Sequence, residues 1–217
     1  MKRAIILSMT VVAVLCAAAT DRFYIENFTI APGETKTLSI MLDNETAYTA
    51  FQTDIYMPTG LTIEMEDGDY IFDLTERKSR DHMIASQPQP NGAIRVISYS
   101  NRINPFSGNS GALVTFNVTA GTDFTEPAAI AMRNTLFTTT AGVEIPFGDE
   151  TCTVNGIKGD VNGDGHVSIS DVTALINYLM SGNNTSIQAG NADMNSDGSI
   201  SISDVTALIN KLMRGED

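Results

Sequence analysis

Between residues 21 and 154 apolar and polar positions alternate in short runs separated by turns. Residues 35–42 put Leu38, Ile40 and Leu42 on one face, and residues 48–57 align Phe51, Ile55 and Met57. Within 93–100, Ile94, Val96 and Ser98 oppose Arg95, Ile97 and Tyr99, and within 112–119 Val114, Phe116 and Val118 point inward. Alternation of period two marks a half-buried strand. Residues 23–30, 61–65, 82–86, 128–132, 136–140 and 151–154 are further strand candidates, with Pro-Gly, Asp-Gly and Asn-Gly turns among the breaks. Many short strands at this spacing predict a β-sandwich of jelly-roll type. After residue 160 the period changes. Val172, Leu175, Ile176 and Leu179 recur at helical spacing, and so do Val205, Leu208, Ile209 and Leu212. Two short helices are predicted, with Ser170 or Asp171 and Ser203 or Asp204 as N-caps.

The two helices belong to a repeat. The run from Asp160 to Asp171 returns, position for position, from Asp193 to Asp204, and the stretch SISDVTALIN occurs in both copies. Each copy opens with a loop of oxygen-bearing side chains at alternate positions. A calcium-binding loop of about twelve residues takes ligands from positions 1, 3, 5, 7, 9 and 12, with glycine at position 6 for a sharp turn. Those positions hold Asp160, Asn162, Asp164, His166 through its carbonyl, Ser168 through a water, and Asp171. In the second copy they hold Asp193, Asn195, Asp197, Ser199, Ser201 and Asp204, and Gly165 and Gly198 stand at position 6. The departure is Asp in place of Glu at position 12, a shorter arm that still reaches an ion. One copy alone would pass for an ordinary Asn-Gly turn; two in register, each followed by the same helix, do not. No amphipathic helix precedes either loop, so the unit is half of an EF-hand.

Two loop–helix units of this kind resemble a dockerin, type I in character. The resemblance implies a small all-α domain with paired EF-hand-like loops, two calcium ions, and a cohesin-bearing partner in a polysaccharide-degrading, cellulosome-like complex. It also implies where the partner would sit: on Ile169 and Ser170, and their copies Ile202 and Ser203, with Asn177, Asn210 and Lys211 as lesser contacts. Isoleucine in that pair makes the contact more apolar than is usual in the family; a role in the local core is an equal alternative for Ile169 and Ile202. Near-identical copies imply docking in either of two orientations related by a half-turn.

The order of features in the preceding sandwich resembles a cohesin: a Pro-Gly turn at Pro32-Gly33 into residues 38–42, the stretch from Phe51 to Leu61 through Tyr56 and Pro58, and Gly-Ala-Leu-Val-Thr-Phe-Asn-Val at 111–118. This implies a second protein-binding module that takes another dockerin-bearing chain. A carbohydrate-binding module shares the sandwich, and a polysaccharide ligand is the alternative. Without Trp and with tyrosines mostly at strand positions, stacking on sugar ranks lower.

The chain has 217 residues and a net charge of −13, with two cysteines. The acidic balance speaks against nucleic acid, which is held by Lys and Arg clusters. Residues 1–19 have the form of a secretory signal: Lys2 and Arg3, an apolar run, then Ala17-Ala18-Ala19. Lipidation at Cys16 is the less favoured alternative, because Leu15 precedes it. The expected organisation is a signal at 1–19, a sandwich at 20–154, a linker at 155–159 and the dockerin at 160–217, exported or held at the cell surface, with no transmembrane segment. The linker spans at most about 17 Å, too short for a dockerin to fold back into its own chain's sandwich, so a monomer is expected. The acidic stretch 64–69 reads as a solvated loop, with a binding edge or a further calcium site as alternatives. Cys152 reads as a buried thiol and His82 as a surface or strand residue. No catalytic constellation appears, and a hydrolase is the least supported reading.

Overall fold

A computed structural model describes residues 21–121, 124, 128–182 and 187–215; the expected signal at 1–19, with Cys16, lies outside them. Its first part is two facing sheets. Strands β1 (Arg22–Ile25) and β2 (Phe28–Thr29) open the chain, followed by β3 (Thr35–Asp43), β4 (Tyr48–Tyr56) and β5 (Leu61–Ile63). Short pieces β6 (Met65–Glu66), β7 (Asp69–Tyr70) and β8 (Asp73–Leu74) precede β9 (His82–Pro88) and β10 (Ile94–Ser100). Then come β11 (Ala112–Ala120), β12 (Ala128–Thr139), β13 (Glu144–Pro146) and β14 (Glu150–Asn155). One sheet runs β1-β3-β11-β5 with β8 beside β11; the other runs β2-β14-β12-β4-β10-β9 with β13 beside β12. Pairing is antiparallel except between β2 and β14. The fold class is an all-β sandwich followed by a small helical domain.

The alternation read in the sequence is the alternation of burial. Leu38, Ile40 and Leu42 are buried along β3, and Val114, Phe116 and Val118 along β11. Between the sheets an aromatic cluster forms, with Phe23 5.0 Å from Phe137 edge to face and Tyr48 4.9 Å from Phe137. Such pairs add about 0.5–1.5 kcal/mol beyond their area. Cys152 lies in this core, and burial pushes its thiol up to about 11, where the nucleophilic thiolate is scarce.

Three expectations are corrected. The run 23–30 is two strands on opposite sheets, because the chain crosses between layers at Glu26 and Asn27. The candidates 128–132 and 136–140 are one strand, β12, interrupted by an irregularity between Arg133 and Leu136. The acidic stretch 64–69 is a hairpin rather than a loop: β6 and β7 pair across an Asp67-Gly68 turn, with both turn residues at positive φ.

After β14 come α1 (Ile169–Met180), the single turn α2 (Ala189–Ala192) and α3 (Ile202–Arg214). Val161, Val172, Leu175, Ala192, Val205 and Leu208 form a separate, much smaller core.

Candidate metal and docking sites

Each loop is wound by its own first aspartate. The Asp160 carboxylate accepts backbone N–H groups from Gly163 (2.8 Å), Asp164 (3.1 Å) and Gly165 (2.9 Å). Asp193 does the same for Asp197 (3.2 Å) and Gly198 (3.0 Å). Side chains at positions 3 and 5 continue the winding: Asn162 accepts from the Asp164 N–H and Asp164 from the His166 N–H, as Asn195 does from Asp197 and Asp197 from Ser199. The turns at Gly165 and Gly198 sit at φ 86° and 84°, a region L side chains avoid.

Position 12 closes the loop and starts the helix. Asp171 accepts from the Asn162 N–H at 3.0 Å and from the Ser168 N–H at 2.8 Å; Asp204 accepts from Asn195 at 3.2 Å and Ser201 at 2.9 Å. The N-caps are therefore Ser168 and Ser201, not Ser170, Asp171 or their copies. Each serine completes a capping box with the aspartate three residues on, which stabilises the helix start by satisfying orphan N–H groups reciprocally. The sequence signal for this was serine followed three residues later by an acid. In the capping role the Ser168 and Ser201 hydroxyls lie within 2.6 Å of Ser170 and Ser203.

The donor chemistry fits a hard cation. Asp160, Asp171 and Asp204 are fully buried, and burial pushes the Asp160 carboxyl above its ordinary range, against the three N–H bonds that pull it down. Buried carboxylates of like charge are costly without a counter-charge. Asn162, Asn195 and the carbonyls at positions 7 add neutral oxygen, the ligand type that calcium takes. Among the described residues no group of three or more His, Cys, Asp or Glu is gathered to metal distance; the carboxylates here face their own backbone N–H groups. The Asp197 carboxyl is held below its ordinary range, chiefly by the Ser199 hydroxyl. His166 is exposed, with Nδ1 3.9 Å from Asp164.

Ile169 and Ile202 stand in water, at 71% and 72% exposure, so the alternative of a core role is overturned. They begin the first helical turn. The helical repeat divides between two faces: Val172 and Leu175 are buried, as are Val205 and Leu208, but Ile176 is 36% exposed and Ile209 37%. With Met180 and Met213, both at 81%, they form an outward stripe at i, i+7 and i+11 on each helix. Ser170, Asn177, Ser203 and Asn210 are exposed beside it. Lys211 differs, because its Nζ donates to the Lys158 carbonyl at 2.9 Å and holds the linker.

The sandwich has no comparable acid-lined site among the described residues. His82 is on a strand, as one of its two readings had it, but buried rather than at the surface: it opens β9 and stacks on Phe106 at 4.1 Å, and burial lowers its pKa. Ser79 lies 2.8 Å from its Nδ1 and donates to Asp81 at 2.6 Å. The acid thus touches the serine, whereas in a hydrolytic triad it orients the histidine. Asp81, held below the carboxylate range by the hydroxyls of Ser100 and Ser79 and by Asn104, ties the start of β9 to the loop after β10. Sequence reasoning also missed the buried Asp54, gripped in bidentate fashion by Arg95 at 2.7 and 2.8 Å and by Asn134 at 3.0 Å.

No curated protein matches the chain. Among solved structures, the sixth cohesin from Acetivibrio cellulolyticus scaffoldin B, crystallised with a Cel5 dockerin mutant, aligns at a TM-score of 0.49 and 11% identity, covering 62% of this chain and 97% of that one. A type II cohesin domain from the cellulosome of the same organism aligns at 0.48 and 14%, covering 63% and 95%. A non-cellulosomal cohesin from Archaeoglobus fulgidus aligns at 0.47 and 10%, covering 62% and 90%. No helix among the described residues is long and apolar enough to cross a membrane. Residues 158–213 match the model of the dockerin type I domain, and the C-terminal part of this chain is therefore a dockerin type I domain.

Proposed function

We propose that this chain is an exported, non-catalytic assembly protein whose dockerin holds two calcium ions, one per loop, and plugs into a cohesin borne by another protein of a polysaccharide-degrading complex. Asp160, Asn162, Asp164, the His166 carbonyl, Ser168 through a water, and Asp171 hold the first ion. Asp193, Asn195, Asp197, Ser199, Ser201 and Asp204 hold the second. The observation that carries the docking reading is the duplicated outward stripe: Ile169, Ile176 and Met180 match Ile202, Ile209 and Met213 closely in exposure. A soluble domain this small rarely leaves contiguous apolar surface uncovered without a partner. Ser170, Asn177, Ser203 and Asn210 rim the two stripes. Because the stripes are alike, a partner can engage either one, with the plug rotated by half a turn.

The sandwich, over residues 20–154, is a second protein-binding module. Its β9–β10 face supports this, since Met83 and Tyr99 are register partners and both are exposed, with Ile97 beside them. Aliphatic side chains around a single exposed tyrosine suit a protein better than a sugar ring. The test is calorimetry in two steps. Calcium uptake by the purified chain at millimolar levels or below is expected, followed by calcium-dependent binding to cohesin modules from the source's own secreted proteins. Absence of any heat of calcium uptake overturns the reading. Retention on insoluble polysaccharide by the sandwich alone would replace its protein-binding role with the carbohydrate one.

A further inference from the structure

The two loops are nearly identical in sequence, yet they are not held alike. Asn191 and Lys158 occupy equivalent positions in the two copies, each two places ahead of its loop's first aspartate. Asn191 is 2% exposed. Its side-chain amide donates to the Asp160 carbonyl at 3.0 Å, and its own carbonyl accepts from the Gly159 N–H at 3.0 Å. One residue thus bonds to the peptide groups on both sides of the Gly159–Asp160 peptide, at the start of the first loop. The Gln188 N–H adds a bond to the Val161 carbonyl at 2.9 Å. The Gln188 side chain lies over Gly163, where a Cβ would come within 3.1 Å of its amide nitrogen. The equivalent of Gly163 in the second loop is Ser196, which keeps a side chain at φ 59°.

The reciprocal contact is weaker in kind. Lys158 reaches the second loop through its ammonium, which donates to the Ser196 hydroxyl at 3.2 Å in an exposed bond. Water competes for both ends of a bond exposed in this way, so this contact contributes little. A buried amide bonded to a buried carbonyl exposes an unsatisfied group when it breaks, which is the costly case. The first loop is therefore sealed by the segment that opens into the second, while among the described residues the second loop has only the Lys158 contact from the corresponding segment.

We propose that Asn191 is a positioning residue that makes the two calcium sites unequal and couples them. It fixes the backbone at Asp160 so that the first loop releases its ion slowly, and it does so only while the segment entering the second loop is ordered. Emptying the second loop frees that segment and loosens the first. Equilibrium coupling of this kind is reciprocal, so an ion in either loop strengthens the other. The inference rests on the calcium reading of the loops.

The test mixes the calcium-loaded full chain with a fluorescent chelator and follows release in a stopped-flow instrument. The wild type is expected to release its calcium in two phases separated by about tenfold, the size of effect a buried hydrogen bond of about 1.4 kcal/mol supports. Asn191→Ala should accelerate the slow phase by about that factor, whereas Lys158→Ala should leave both phases in place. Asp193→Ala should abolish the fast phase and speed the remaining one in the wild-type background, but not further when combined with Asn191→Ala. Far-UV circular dichroism at saturating calcium verifies that each variant keeps its helices. Asn191→Ser, a smaller side chain without the amide donor, carries the same test if the alanine variant unfolds. A single release phase in the wild type, an unchanged slow phase in the Asn191 variants, or additive effects of Asn191→Ala and Asp193→Ala would each overturn the proposal. A wild type that takes up no calcium overturns instead the reading of the loops as calcium sites.

Discussion

The sandwich and the C-terminal module solve the same problem with opposite means. The sandwich buries a long roll of aliphatic side chains and an aromatic cluster in which Phe137 contacts Phe23, Tyr48, Phe51 and Phe147. Its deeply buried acid, Asp54, carries its own cation. Among the described residues, the C-terminal module has six buried apolar residues and packs three buried aspartates around them, and no arginine or lysine is bonded to any of the three. A domain of this size is marginal on apolar burial alone. The first region thus carries its stability in its own atoms, whereas the calcium reading proposed above has the second leave part of it to an ion from solution.

Calcium removal should separate the two most sharply. At a hundred times its dissociation constant, calcium adds about 2.7 kcal/mol per site, a large part of what a small domain has. Excess chelator is expected to abolish the helical circular dichroism while a calorimetric transition from the sandwich persists at unchanged temperature. Helicity that survives chelation would erase the contrast. The converse cut is Phe137→Ala, which should cost the sandwich about 3–5 kcal/mol and leave the calcium titration of the C-terminal module as it was. Loss of calcium uptake in that variant would mean that the two regions share one stability.

Acid offers a finer division. The Asp54 carboxyl is held below its ordinary range, first by the Arg95 hydrogen bonds. A carboxyl whose folded pKa is depressed contributes stability above its unfolded pKa and loses it as pH falls through the folded value. The sandwich is therefore expected to weaken only below about pH 4, the ordinary carboxylate range. Arg95→Met should remove about 2 kcal/mol at neutral pH, discounted for the partial exposure of the arginine, and should flatten this acid loss. Denaturant midpoints between pH 7 and pH 2 measure both, and an acid loss equally steep without Arg95 would assign it to other carboxyls.

How much of this was legible depended on whether the cause was local. The loop–helix repeat was legible because every donor to Asp160 or Asp171 within its loop lies within nine residues. The alternating strands β3, β4 and β11 were legible for the same reason. What failed was non-local. Asp54 meets Arg95 and Asn134 from 41 and 80 residues away, and β1 parts from β2 only because a second sheet lies opposite. On the helices the spacing showed the element but not which of its apolar residues are covered. The i, i+3, i+4, i+7 pattern includes Ile176 and Ile209, yet so short a helix resting on so small a core covers a narrow stripe. The apolar residues left over point outward, and they are the ones that carry the docking reading.

The smallest expected effect is also the most discriminating for that reading. Inside the module the repeat is broken at Asn191 and Lys158; outside, its two apolar stripes match. If either face can engage the partner, Ile169→Asp alone removes one of two equivalent arrangements, and affinity falls only about twofold, about 0.4 kcal/mol. Ile202→Asp alone should do the same. The double variant leaves no apolar face intact and should weaken binding by at least about a hundredfold, as expected when anchoring apolar contacts are replaced by charge. Calorimetric titration of the three variants against one cohesin module makes the measurement. A large loss from one single substitution and none from the other would show that the asymmetry at Asn191 and Lys158 reaches the surface, so that the partner reads only one copy of the repeat.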